Sequence, residues 1–102
     1  MKIRVDNETI EIDWRAAALL LAMYWVEEHA ILMNEARQIT GSYWSAVYRL
    51  RRLRKLGLAE DIKPSRNVRI IRITEKGLKV AKMIEMLARR MGVDVDKYKS
   101  GV

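Results

Sequence analysis

The chain contains no cysteine, which excludes disulfides and thiolate-bound metals and is compatible with an intracellular, cytoplasmic setting. A single histidine, His29, leaves too few nitrogen ligands for a protein-held metal, and no cofactor is expected. With one proline and five glycines, and with 50% hydrophobic and 32% charged residues, the composition is that of a folded, helix-rich globule and not of a disordered tail. The longest apolar run, residues 16–26, falls far short of the roughly 20 residues needed to cross a bilayer, so no membrane partner is expected. Residues 1–10 alternate charged with apolar groups and lack the apolar core of a signal peptide. There is no Gly-rich phosphate loop, no Gly-x-Ser-x-Gly elbow and no second histidine, and Asp94-Val-Asp96 lacks the rest of a calcium loop. Catalysis is not expected.

What is present is positive charge, unevenly spread. Residues 1–36 carry three cations against seven acids, residues 37–76 eleven against three, and residues 77–102 six against three. Basicity concentrated in the middle of a chain marks a binding face, whereas charge kept for solubility is dispersed. Within that segment Arg49, Arg51, Arg52, Arg54 and Lys55 occupy five of seven consecutive positions with no acid among them. Ordinary solvated helix faces mix signs so that residues four apart can pair; this one does not, which favours a polyanion as partner.

The 102 residues suit one domain, expected over 1–92, with a tail or short final turn over 93–102. Ile3, Val5, Ile10 and Ile12 alternate with polar residues around Asp6-Asn7, the pattern of two short strands and a turn. Asp13 suits the N-cap of a first helix over 14–28, which is apolar nearly all round; a domain this small has little material to cover it, so part of it is expected to meet a second copy of the chain. A second helix is predicted from an Asn34 cap to Thr40, ended by Gly41. Ser42 then caps a third over 43–56, with Gly57 at its left-handed end. At about 100° per residue, Tyr43, Ala46, Val47, Leu50 and Leu53 form its core face, with Trp44, Ser45, Tyr48, Arg51, Arg52 and Lys55 opposite and Arg49 on the flank. Strands over 58–62 and 68–73 flank a turn at 63–67 and carry Lys63, Arg66, Arg69 and Arg72. Thr74 caps a last helix over 75–91 in which Val80, Ile84, Leu87 and Met91 recur at helical spacing.

Two stretches, NEARQITGSYWSAVYRLRRLRKLGL at 34–58 and ITEKGLKVA at 73–81, resemble the MarR/PadR-like winged helix-turn-helix transcriptional regulators, especially the small archaeal type. The resemblance covers about half the chain. Its most specific pieces are LRKLGL at 53–58 and ITEKG at 73–77, although Ala36 to Gly41 is one residue longer than the usual step. It implies an α+β, mostly helical fold with a two-stranded wing, an N-terminal strand pair and a C-terminal dimerisation helix. It implies a homodimer on double-stranded DNA, the third helix in the major groove and the wing on the flanking backbone or minor groove. The dimer would be made by the outer helices through Trp14, Leu21, Trp25, Val80, Ile84, Leu87 and Met91.

Under that reading Ser45, Tyr48, Arg49 and Arg52 are the expected base-edge readers, because the start and middle of such a helix enter the groove most deeply. Arg51 and Lys55 are expected on phosphates, as are Lys63 and Arg66 at the wing tip; Arg69 lies on a strand face beside them. Tyr43 is assigned to the core, the more frequent place for an aromatic at a helix start. Trp44 is left open between a DNA contact and packing on the wing. Trp14, Met23, Trp25, Met83, Met86 and Met91 serve core and dimer packing more often than an effector pocket, so a small-molecule effector has no support. Two alternatives stand beside sequence-specific regulation: a sequence-tolerant chromatin-type DNA binder, and a winged-helix module for an acidic partner or RNA.

Overall fold

A computed structural model describes residues 1–99. Strands β1 (Lys2–Val5) and β2 (Glu8–Glu11) form an antiparallel hairpin in which Ile3 faces Ile10. Asp6 and Asn7 both have positive φ, 50° and 65°, the backbone of the tight turn that short hairpins favour. Ile3, Val5, Ile10 and Ile12 all point into the core, as their alternation requires. The hairpin is clipped to the long helix Glu75–Arg90 by ion pairs from Lys76 to Glu8 (2.8 Å) and Lys79 to Asp6 (3.1 Å).

Helix α1 (Trp14–Trp25) starts at Asp13, whose carboxylate accepts the Ala16 amide at 2.8 Å. It buries Ala16, Ala17, Leu19, Leu20 and Met23 and runs through the middle of the molecule. It stops three residues before the predicted end, because the chain turns out at Val26 and reverses at His29, which takes φ 55°. The reversal makes a short strand, β3 (Ala30–Leu32), that the sequence pattern does not announce: three residues are too few for an alternating signal.

Helix α2 (Met33–Thr40) begins on Leu32, two residues earlier than the predicted Asn34 cap. Leu32 has no side-chain acceptor, and the end is closed from the other side: the Glu35 carboxylate accepts the Leu32 amide at 3.1 Å. Gly41, at φ 99°, lets the chain turn into α3 (Tyr43–Lys55), where the Ser42 hydroxyl accepts the Ser45 amide at 3.1 Å. Ala46, Val47, Leu50 and Leu53 form its buried face, whereas Tyr43 is not in the core as expected. It sits in the first turn, before the helix reaches the packed interior, and is 46% exposed.

Strands β4 (Ala59–Ser65) and β5 (Val68–Ile73) form the second hairpin, with an irregular register between Ile62 and Ser65 where Pro64 cannot donate to the ladder. β3 pairs antiparallel with the other edge of β5, Ile31 opposite Ile71. The expected two-stranded unit is therefore a three-stranded sheet in the order β3-β5-β4.

Helix α4 (Glu75–Arg90) is capped by Thr74, whose hydroxyl accepts the Gly77 amide at 3.0 Å and donates to the Gly57 carbonyl at 2.6 Å. Gly77 is fixed by space: a Cβ there would stand 2.2 Å from the Leu58 carbonyl oxygen. A short α5 (Val95–Lys99) follows, with Val95 buried, so this part of the predicted tail is folded back; residues 100–102 of it lie outside the described residues. The fold is a small α+β domain of five helices and two antiparallel sheets among the described residues.

Candidate nucleic-acid interface

The buried stripe of α3 fixes what its other face presents. With Ala46, Leu50 and Leu53 against the core, Trp44, Tyr48, Arg51, Arg52 and Lys55 are all exposed, Trp44 by 75% and Tyr48 by 66%. Tyr43 meets Trp44 edge-on at 5.4 Å between ring centres. Arg51 and Lys55 form no hydrogen bond or ion pair within the described residues, and neither does Arg66. At the end of the second hairpin Lys63 and Arg66 are exposed, as the sequence led one to expect.

Two arginines expected among the base readers are held by the protein itself. Arg49 ion-pairs with Asp13 at 2.9 Å, donates a second bond to it through Nε at 3.0 Å, and donates to the Ser45 hydroxyl at 2.9 Å. Burial pushes the Asp13 carboxyl up, but the Ala16 amide and the Arg49 guanidinium outweigh it and hold the group below the usual carboxylate range. Arg52 donates to the Glu11 carbonyl at 3.2 Å, a single bond that leaves the rest of its guanidinium in water.

Arg69 is the clearest departure from expectation. Its guanidinium grips the buried Asp61 carboxylate from two nitrogens, at 2.6 to 3.0 Å, and it is mostly covered. The Arg69 bonds, working against burial, hold the Asp61 carboxyl below its ordinary value, and the same bonds raise Arg69. Arg54 lies 3.8 Å from that carboxylate, and the Tyr43 phenol also acts on Arg69. Arg69 is thus a brace between the two strands of the second hairpin, not a free contact. The pair was legible in principle: Asp61 faces Ile71 across the ladder, which sets Arg69 diagonally opposite on the same face.

The residues expected to join two copies divide. Val80 and Ile84 are corrected to the core, since they face α1 within one chain and are fully or almost fully buried. A helix packed on its own domain shows the same four-three spacing as a seam between chains. Trp14, Leu87 and Met91 are exposed, Met91 by 81%. Leu21 and Trp25 are half-buried along an apolar groove of about 500 Å³ between α1, α2 and the end of α4. Beside it Glu85 is buried yet ionised: burial raises its pKa, but Lys99 at 2.6 Å and Arg89 at 3.0 Å lower it further. The Trp25 indole N–H also helps to lower it, although that nitrogen is buried without full hydrogen-bonding geometry.

Among the described residues, no cluster of three or more His, Asp or Glu could hold a metal, and no helix is long and apolar enough to cross a membrane. No protein-family model and no curated protein matches the sequence. In structure the chain is similar to AF1382 from Archaeoglobus fulgidus, with a TM-score of 0.70 and 19% identity over 81% of this chain and 93% of that one. The likeness is one of fold.

Proposed function

We propose that this protein binds DNA as a winged helix-turn-helix domain and acts as a homodimeric transcriptional regulator. In this reading α2, Gly41 and α3 are the helix-turn-helix, and β4–β5 is the wing. The observation that carries it is the set of exposed cations left without partners on α3 and at the end of the second hairpin. Among the described residues Arg51 and Lys55 on α3 and Arg66 at the hairpin end make no hydrogen bond or ion pair, although acids are plentiful elsewhere in the chain. Cations that the fold leaves unpaired and exposed are free to neutralise phosphates. The exposed Trp14, Leu87 and Met91 supply apolar surface for the second copy.

The test is fluorescence anisotropy with a labelled duplex over a salt series. Affinity should fall with salt by about 0.9 log units per phosphate neutralised for each log unit of salt, and Lys63→Ala or Arg66→Ala should each reduce that slope by about 1. Absence of duplex binding at low salt rejects the proposal, and sedimentation velocity tests the dimer separately.

A second reading, sequence-tolerant DNA binding, is favoured by the clasp between Arg49 and Asp13. The clasp withdraws one of the groups suited to bidentate base recognition, while the phosphate-type contacts remain. Competition with random DNA separates the two.

A further inference from the structure

The exposed surface of α3 changes character along its length. Its first two turns present Tyr43, Trp44, Ser45 and Tyr48; the unbonded cations, Arg51 and Lys55, come only afterwards. At about 100° per residue Trp44, Tyr48, Arg51 and Lys55 fall within an arc of roughly 60°, so rings and charges form one continuous stripe. Bidentate edge readout in a duplex groove, the most discriminating kind, uses forked side chains such as Arg, Asn or Gln near the helix start. Arg49 is the only such side chain in those two turns, and Asp13 and Ser45 hold it. What the helix start offers instead is flat ring area: an indole 75% exposed, propped edge-on by Tyr43, and a phenol 66% exposed.

Ring faces match base faces, and in an intact duplex base faces are covered by their neighbours. They become available where bases are unpaired. Next to Tyr43 the fold also leaves a recess of about 380 Å³ between the start of α2 and the start of β5, with Leu32 and Val68 as apolar walls and Asn34 and Asn67 contributing amides. Amide groups carry both a donor and an acceptor, the pairing a base edge presents once it leaves the stack.

We infer that the preferred ligand is DNA with an opened or unpaired segment, whose bases stack on Trp44 and Tyr48 while Arg51 and Lys55 hold the adjoining phosphates. The inference rests on reading this face as the DNA-binding one and specifies the state of the DNA it takes. Anisotropy would be measured at one salt concentration with three labelled probes: an intact duplex, the same duplex with a central mismatched bubble, and one of its strands. The bubble and the single strand should bind at least about tenfold tighter than the duplex. Trp44→Ala should cost the bubble about tenfold or more and the duplex no more than about twofold, and Trp44→Phe should keep most of the bubble affinity. Trp44 is exposed, and circular dichroism verifies that each variant is folded. Equal affinity for duplex and bubble, or an equal loss on both with Trp44→Ala, overturns the inference and leaves DNA binding standing. Failure to bind any of the three probes removes the underlying reading as well.

Discussion

Replacing Asp13 separates two jobs that one carboxylate performs. One oxygen caps α1 by accepting the Ala16 amide; the other holds the Arg49 guanidinium on α3. Removing an N-cap costs about 1 kcal/mol. The ion pair adds less, because the Asp13 side chain is 42% exposed and the Arg49 side chain 20%, which places the pair in the range of about 0.2–1 kcal/mol. Asp13→Ala should therefore destabilise the domain by about 1–2 kcal/mol, which for a domain of this size lowers Tm by roughly 5–15 °C. Asp13→Ser keeps a capping oxygen and loses only the clasp, so its Tm should fall by roughly 5 °C or less. Both variants free a cation beside the proposed DNA face. Each should steepen the salt dependence of duplex binding by about 0.9, the contribution of one additional phosphate contact. Calorimetry and anisotropy over a salt series read the two effects independently. Equal Tm losses for the alanine and serine variants would refute the capping argument, and an unchanged slope in both would refute the claim that Arg49 borders the DNA face.

Gly77→Ala should cost several kcal/mol or abolish folding, because the new methyl meets the Leu58 carbonyl at 2.2 Å and Ile73 Cγ1 at 2.6 Å; thermal melting checks this. Val80→Ala should destabilise by about 1–3 kcal/mol without altering the oligomeric state, whereas Met91→Glu should leave Tm nearly unchanged and weaken the proposed dimer, as read by sedimentation. Asp61 and Glu85 both have pKa values depressed by folding, so their stabilising effect is complete above the unfolded range near 4 and is lost as pH falls through the lower folded values. Tm of the wild type should accordingly drop below about pH 4 more steeply than that of Glu85→Gln, and parallel curves would contradict the assignment. Asp61→Ala should cost about 1–3 kcal/mol by leaving Arg69 partly buried without its partner, a loss measurable by urea unfolding.

Local signals explain most of what could be read from the sequence. The caps at Asp13, Ser42 and Thr74, the turns at Asp6-Asn7, Gly41 and Gly57, and the buried stripe of α3 all depend on residues within a few positions of one another. What escaped depends on partners far along the chain. β3 is too short to show a period and exists because β5 offers it an edge. Arg49 looks like a free cation until the fold brings Asp13, 36 residues away, against it, whereas the Arg69 partner, Asp61, is local and needed only the hairpin register to be found. Val80 and Ile84 could not be told from a dimer seam, because helical spacing says which residues share a face and not what covers it. Tyr43 was misplaced for the same reason.

The small strand ahead of α2 has a mechanical consequence. Leu32 is the last residue of β3 and also the residue on which α2 begins, while β5, to which β3 is laddered, continues into the tip bearing Arg66 and Asn67. The Arg69 grip on Asp61 ties down the same tip from the opposite strand. The second hairpin and the helix pair are thereby joined like the two jaws of a caliper locked at one setting. Any molecule that touches both must present its two points of contact at that separation from the outset, and little ordering entropy remains to be lost when it does.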